Sequence, residues 1–175
     1  LTMGWHLTHG HSVSITGKLW KQVLYGVDKR TEMLDYNDLL KIAKHEKPKL
    51  IVAGFTAYSR IIDFKKFGKI ADVCGAILMI DMSHFAGLVA GGIYPSPFAH
   101  ADVVMTTMHK TLRGPRAAII FSRKDYSQKI DRAVFPGLQG GPHANQIAAT
   151  AVALFEASQP GFKKYARQIV KNAKA

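Results

Sequence analysis

Short apolar runs alternate along this chain with longer segments in which apolar residues return every three or four positions. Residues 49–55 (KLIVAGF), 76–80 (AILMI) and 117–121 (AAIIF) read as buried strands. Residues 102–105 begin another, which runs into Thr106-Thr107-Met108-His109-Lys110. Between them lie helix signals. Asp35 stands where it can cap a helix carrying Leu39, Leu40, Ile42 and Ala43, and Pro48 ends it. Asp63 can cap a second, with Phe64, Phe67, Ile70 and Ala71 on one face and Gly75 placed to stop it. Arg113-Gly114-Pro115 has the chemistry of a turn. A long helix fits residues 145–157, and residues 162–175 look like an amphipathic one. Strand and helix in alternation predict an α/β domain, with a largely parallel, mixed sheet flanked by helices. Ligands of such sheets collect at the carboxyl ends of the strands, where Asp81, Thr107, His109 and Lys110 all fall.

Composition narrows the class. With 175 residues, 47% hydrophobic and 21% charged, the chain suits one globular domain and is far from disordered. No apolar run reaches the roughly 18 residues that would cross a membrane. A single cysteine, Cys74, and no secretory pattern at the start point to the cytoplasm. The opening residue is not Met, and the final helix breaks off in mid-course, so a piece of a longer polypeptide is expected. The net charge of +12 favours anionic partners in general. Its basic residues, however, fall mostly on predicted helices, where a solvated face accounts for them. No aromatic-basic stripe points to nucleic acid.

Four groups of residues offer chemistry. Lys110, just past an apolar strand, is either a strand-end lysine turned to water or an amine for covalent attachment of a carbonyl cofactor. Asp81 ends a buried strand and needs a partner, since an isolated buried carboxylate is costly. A helix cap, an arginine or a pyridinium nitrogen would serve. His6, His9 and His11 form H-x-x-H-x-H, which Asp81, His84 and His109 could complete as a metal site. The histidine trio lies in a Gly- and Ser-flanked stretch without a helix signal, so no metal is expected. Residues 137–142 (GLQGGP) form a Gly-rich turn whose amides suit a phosphate, or merely a tight loop.

Together these segments are more specific than apart. HLTHG at 6–10, VAGFTAYSR at 52–60, DMSHFAGL at 81–88, TTMHKTLRGPR at 106–116 and FPGLQGGP at 135–142 resemble, in order and spacing, the serine hydroxymethyltransferases. The resemblance runs through the whole chain and would cover a central portion, under half, of a family member. It implies the large domain of the aspartate-aminotransferase-like fold, with residues 1–175 as a partial domain that binds pyridoxal 5'-phosphate. Lys110 matches the lysine that holds the cofactor covalently, and Asp81 the carboxylate that pairs with its ring nitrogen. His6 matches the histidine stacked on the ring. His84 matches the one near the phenolic oxygen, with the Thr56 hydroxyl close by. Thr107, His109 and Arg116 match residues around the reacting lysine.

Gly140 and Gly141 look like amides that reach a phosphate in a neighbouring subunit, which implies a homodimer or a dimer of dimers. Leu1, Trp5, His6 and Leu7 fall where the family contacts tetrahydrofolate. The departures are Trp5 between Gly4 and His6, Met108 where Thr is usual, and Ala117-Ala118 where glycines are common. The activity implied is reversible transfer of a one-carbon unit between L-serine and tetrahydrofolate, giving glycine. The family's catalytic glutamate and its carboxylate-gripping arginine lie outside these residues, so the chain alone is expected to be inactive. Another enzyme of the same scaffold, such as a threonine aldolase, is the alternative. A nucleic-acid binder and a metallohydrolase are more remote ones.

Overall fold

A computed structural model describes residues 6–175. Its centre is a four-stranded sheet in the order β1 (Leu50–Ala53), β2 (Ile77–Asp81), β3 (Val103–Thr107) and β4 (Ala118–Ser122). The first three strands are parallel, in the register Leu50↔Ile77 and Met79↔Val103. β4 returns antiparallel to β3, with Thr107 opposite Ala118. The sheet is therefore mixed and mostly parallel, as the alternation of elements predicts. The antiparallel return follows from a turn too short for a crossover. Arg113 N donates to Lys110 O at 3.0 Å and Gly114 N to Met108 O at 2.7 Å.

The helices begin where their side chains can satisfy free amides. Asp35 accepts from Asn37 N and Asp38 N at the head of α2 (Tyr36–Glu46), and Asp63 from Lys66 N at the head of α3 (Phe64–Cys74). Gly75 closes α3 in the left-handed region, as expected. α2 ends at Glu46, two residues before the proline, because Lys47 itself turns left-handed. The third strand stops at Thr107 and does not run on to Lys110, since Met108 already begins the turn. Four short or irregular elements lack a clear sequence signal: α1 (Ile15–Leu19), α4 (Ala86–Ala90), α5 (Lys124–Arg132) and a kinked turn at Ala133–Leu138. The long helices are α6 (Ala144–Ser158) and α7 (Pro160–Lys174).

The core gathers under β1–β3. Ala53, Ile80, Phe67 and Met108 are fully enclosed. α3 packs on β2, while α4 lies against α6 and α7. Phe85, stacked at 6.1 Å on Phe64 and 4.8 Å from Tyr94, anchors the segment between β2 and α4. Arg113 reaches from the turn after β3 over the rings of Tyr165 (4.5 Å) and Phe162 (5.4 Å) on α7. Not every apolar residue finds cover: Leu138, Ile147, Val152, Leu154 and Phe155 stand exposed. Among the described residues no helix is long and apolar enough to cross a membrane.

Candidate active site

The carboxyl ends of β2 and β3 lie side by side, and the sequence places a different reactive group on each. Asp81 is the last residue of β2. Thr107 is the last of β3, and three residues on the turn brings Lys110 back over it, Nζ 2.8 Å from Thr107 Oγ1. Parallel pairing sets Asp81 beside Met105. Sheet register thus brings the acid of one strand and the amine of the next to a single edge.

Asp81 is held on both oxygens. Oδ1 accepts from Ser83 N at 2.9 Å, and Oδ2 meets His9 Nε2 at 2.7 Å. Burial pushes this carboxyl up, but the hydrogen bonds from His9 and Ser83 outweigh it and leave Asp81 below the ordinary carboxylate range. An ionised carboxylate has about four acceptor positions, so room remains for a further donor. Gly54, just after β1, adopts φ +117°, which glycine takes readily, and a Cβ there would collide with the Asp81 carbonyl.

The partner histidine comes from a folded turn near the start of the described chain. His9 N donates to His6 O at 3.0 Å, and Gly10 N to the Thr16 hydroxyl, which itself donates to Thr8 O. Ser14 caps α1 behind this turn. His9, 72 residues from Asp81 in sequence, was not assigned this role from sequence, and no spacing could have shown it. His6 lies on the same turn, its ring 6.5 Å from that of His84 and 6.2 Å from that of His9. Its Nδ1 is 2.7 Å from the Thr8 hydroxyl. Leu7 beside it is exposed. Leu1 and Trp5 lie outside the described residues.

Two polar atoms are left over. His84 Nε2 and His109 Nδ1 are buried with no hydrogen-bond partner, a state that ordinary interiors avoid. Burial first, then the positive charge of Lys110, lowers the pKa of both rings. Neutral imidazoles with a free nitrogen result, able to meet an oxygen of a bound molecule. Thr56 follows β1 at the same edge of the sheet and is exposed, as is Arg116. Gly140 and Gly141 stand apart from this cluster, on an exposed loop with nothing within 4 Å of a Cβ built on either. His11 is exposed as well, its Nδ1 taken by Val13 N. Among the described residues no group of three or more His, Cys, Asp or Glu could hold a metal ion.

An amine, an ionised carboxylate one strand away and an unpartnered imidazole nitrogen fit a flat heteroaromatic aldehyde. The aldehyde would meet Lys110, a protonated ring nitrogen would meet Asp81, and an oxygen on the ring would meet His84. Comparison with known proteins points the same way. The family model for serine hydroxymethyltransferase matches residues 1–175. The chain is 56% identical over 174 residues to a serine hydroxymethyltransferase of Koribacter versatilis, which covers 99% of this chain and 41% of that protein. To the enzyme of the same name from Coprothermobacter proteolyticus it is 57% identical over 174 residues, covering 99% of this chain and 42% of that one. The match to the Mycoplasma mycoides protein is 56% over 175 residues, all of this chain and 42% of the relative. The chain thus spans about two fifths of the length of the curated relatives it matches.

Proposed function

The chain belongs to the serine hydroxymethyltransferase family, and on that footing we propose that it forms the cofactor-bearing core of an enzyme that moves a hydroxymethyl unit reversibly between L-serine and tetrahydrofolate, giving glycine and methylenetetrahydrofolate. The cofactor is pyridoxal 5'-phosphate. When bound it supplies an electron sink for the alpha carbon of an amino acid. The observation that carries the reading is the meeting of the Lys110 amine, the Asp81 carboxylate and the unpartnered His84 nitrogen at one sheet edge.

The residues take distinct parts. Lys110 holds the cofactor covalently, and Thr107 orients its amine. Asp81, kept ionised by His9 and Ser83, keeps a proton on the ring nitrogen, without which the sink would be weak. His84, through its unpartnered nitrogen, and Thr56 would hold the cofactor's phenolic oxygen, and His6 would hold its ring. His109 and Arg116 line the approach to Lys110, and the charges of Lys110 and Arg116 both help lower the pKa of His109. Leu1, Trp5, His6 and Leu7 are assigned to the folate because they fall, in sequence, where the family contacts it.

Residues 1–175 are, in this reading, part of a large domain. Its coverage of about two fifths of its relatives and the bare apolar face of α6 support that. Gly140 and Gly141, exposed and unhindered, serve a phosphate in a second copy, so the enzyme is a homodimer or a dimer of dimers working in the cytoplasm, with no part for nucleic acid or membrane. On its own the chain has negligible transferase activity.

Pyridoxal phosphate added to the protein, followed by borohydride reduction and peptide mapping, tests the reading. A yellow band and a label on Lys110 are expected, and Lys110→Ala removes the label. Asp81→Asn keeps some cofactor binding but loses most of the exchange of the glycine alpha proton with solvent. Unaltered exchange in that variant overturns the role of Asp81.

A further inference from the structure

The ladder between β2 and β3 ends early. Its last pair is Asp81↔Met105, closed by Met82 N donating to Met105 O at 2.9 Å. Beyond that point the two segments separate: one turns towards α4, the other continues along β4 to Thr107. Asp81 closes the ladder, and Lys110 lies beyond it. Ser83 spans the unladdered stretch. Only 3% exposed, its Oγ accepts from Thr107 N at 3.0 Å, where a strand would have supplied a carbonyl. Its own amide donates to Asp81 Oδ1. With its oxygen turned to Thr107, the hydroxyl proton is free for the Asp81 carboxylate, and this hydroxyl helps keep that acid ionised.

We propose that Ser83 is a positioning residue that fixes the Asp81 carboxylate and the 107–110 segment in one register across the end of the sheet. The inference rests on the cofactor reading above. A flat ring attached at Lys110 and paired at Asp81 requires both ends at a set separation, and strand pairing does not reach far enough to set it. A second stitch holds the same two segments further on: Gly87 N donates to the Thr111 hydroxyl, which donates to His84 O. That stitch keeps the fold when Ser83 is changed. Removal of the serine hydroxyl leaves the Thr107 amide buried without an acceptor and lets Thr107, with the lysine it holds, drift from Asp81.

The test compares Ser83→Ala, the near-isosteric Ser83→Cys and the hydroxyl-retaining Ser83→Thr, each in the native polypeptide that carries this chain. Absorbance titration with pyridoxal phosphate gives the apparent affinity. A pH titration of the same band gives the point at which the lysine adduct loses its proton. The groups that interact with Lys110 are His84 and His109; His6, Asp81 and Arg116 act on those two rings and His9 on Asp81, and all are unchanged in the three variants. Ser83→Ala is expected to weaken binding about tenfold, the effect of one buried hydrogen bond left unmade. Its titration midpoint falls, because the protonated form loses an ordered acceptor. Cys behaves like Ala, and Thr stays nearer the wild type. If the wild type forms the band while Ala and Cys match it in affinity and midpoint, the inference is overturned; a variant that merely melts earlier, with midpoint unchanged, overturns it equally. Should Ala fail to fold, Cys decides. A wild type that forms no band sinks the cofactor reading and this inference with it.

Discussion

Replacing His9 by alanine separates two accounts of the histidine: partner of a charge, or filler of a space. In the wild type its ring lies 2.7 Å from Asp81 Oδ2, with the two side chains 14% and 15% exposed. A hydrogen bond to a charged group in such a place contributes roughly 1.5–3 kcal/mol. Water reaching the rim of the carboxylate restores part of it, so the loss at neutral pH is about 1.5 kcal/mol. Asp81 is held below its unfolded value, so its stabilising contribution is full above the unfolded carboxylate range and disappears as pH falls through the folded value. Without His9 the depression is smaller, so less remains to be lost. The stability gap between wild type and His9→Ala should therefore narrow on going from about pH 5 to about pH 3, the window in which carboxylates titrate.

Denaturant unfolding of both proteins at several pH values in that window measures the gap. Every other carboxylate titrates alike in the two and cancels from the difference. Lost ring packing adds a constant offset that pH does not move. His9→Gln, which keeps an amide donor, should recover part of the gap at pH 5 and none at pH 3. A gap that holds constant across the window would refute the argument, and His9 would then be packing alone.

Gly54→Ala should be severe. It forces a side chain into φ +117° and drives its Cβ at the Asp81 carbonyl, and the backbone strain alone costs about 1–3 kcal/mol. A fall in the thermal midpoint together with weakened cofactor binding would show it; an unaltered cofactor affinity would mean that β1 does not support Asp81. Arg113 sits at φ 59° while its guanidinium covers Tyr165 and Phe162 and approaches Glu156 at 3.6 Å. Arg113→Ala loses the ring contacts and keeps the strain, for a loss of about 1–2 kcal/mol. Arg113→Gly loses the same contacts but relieves the strain, so it should be the milder of the two in urea unfolding; the reverse order would remove strain from the account. Phe67→Ala, at a fully enclosed position between α3 and its neighbours, should cost about 3–5 kcal/mol by the same measurement.

Much of the scaffold is legible because local chemistry decides it. Asp35 and Asp63 announce their helices since a carboxylate satisfies amides two and three residues on, and Gly75 marks an end because it takes the left-handed region without strain. Apolar runs such as AILMI become strands, buried on one face and half-buried on the other, whereas the run AAIIF, expected to be buried, forms the largely exposed edge strand β4. Asp81 stands out as a polar residue ending an apolar run, and Lys110 as one just past β3. The short helix α4 does not stand out. Its first two residues, Ala86 and Gly87, are buried by what packs on them, and Gly87 by the approach of the Thr111 backbone, neither of which leaves a period in the sequence.

The least legible residues are those that act on the reactive ones. His9 reads as one of three histidines with metal-like spacing; the fold gives each a different neighbour. His9 takes Asp81, His6 faces His84, and His11 bonds to its own turn. Ser83 reads as a small residue in a loop, and only the end of the β2–β3 ladder turns it into an acceptor for Thr107. Both roles depend on contacts between segments far apart in sequence: His9 reaches Asp81 from the turn before α1, and Ser83 meets Thr107 across a whole crossover. The pattern of apolar residues fixes which strand lies beside which, but the side chain that fills the place of a missing ladder bond is chosen by where the two strands part. Past that point the chain turns into α4, which packs against α6 and α7, far along the chain. Local pattern therefore marks Lys110 and Asp81 as polar groups past apolar strands, while the contacts around them come from the assembled sheet.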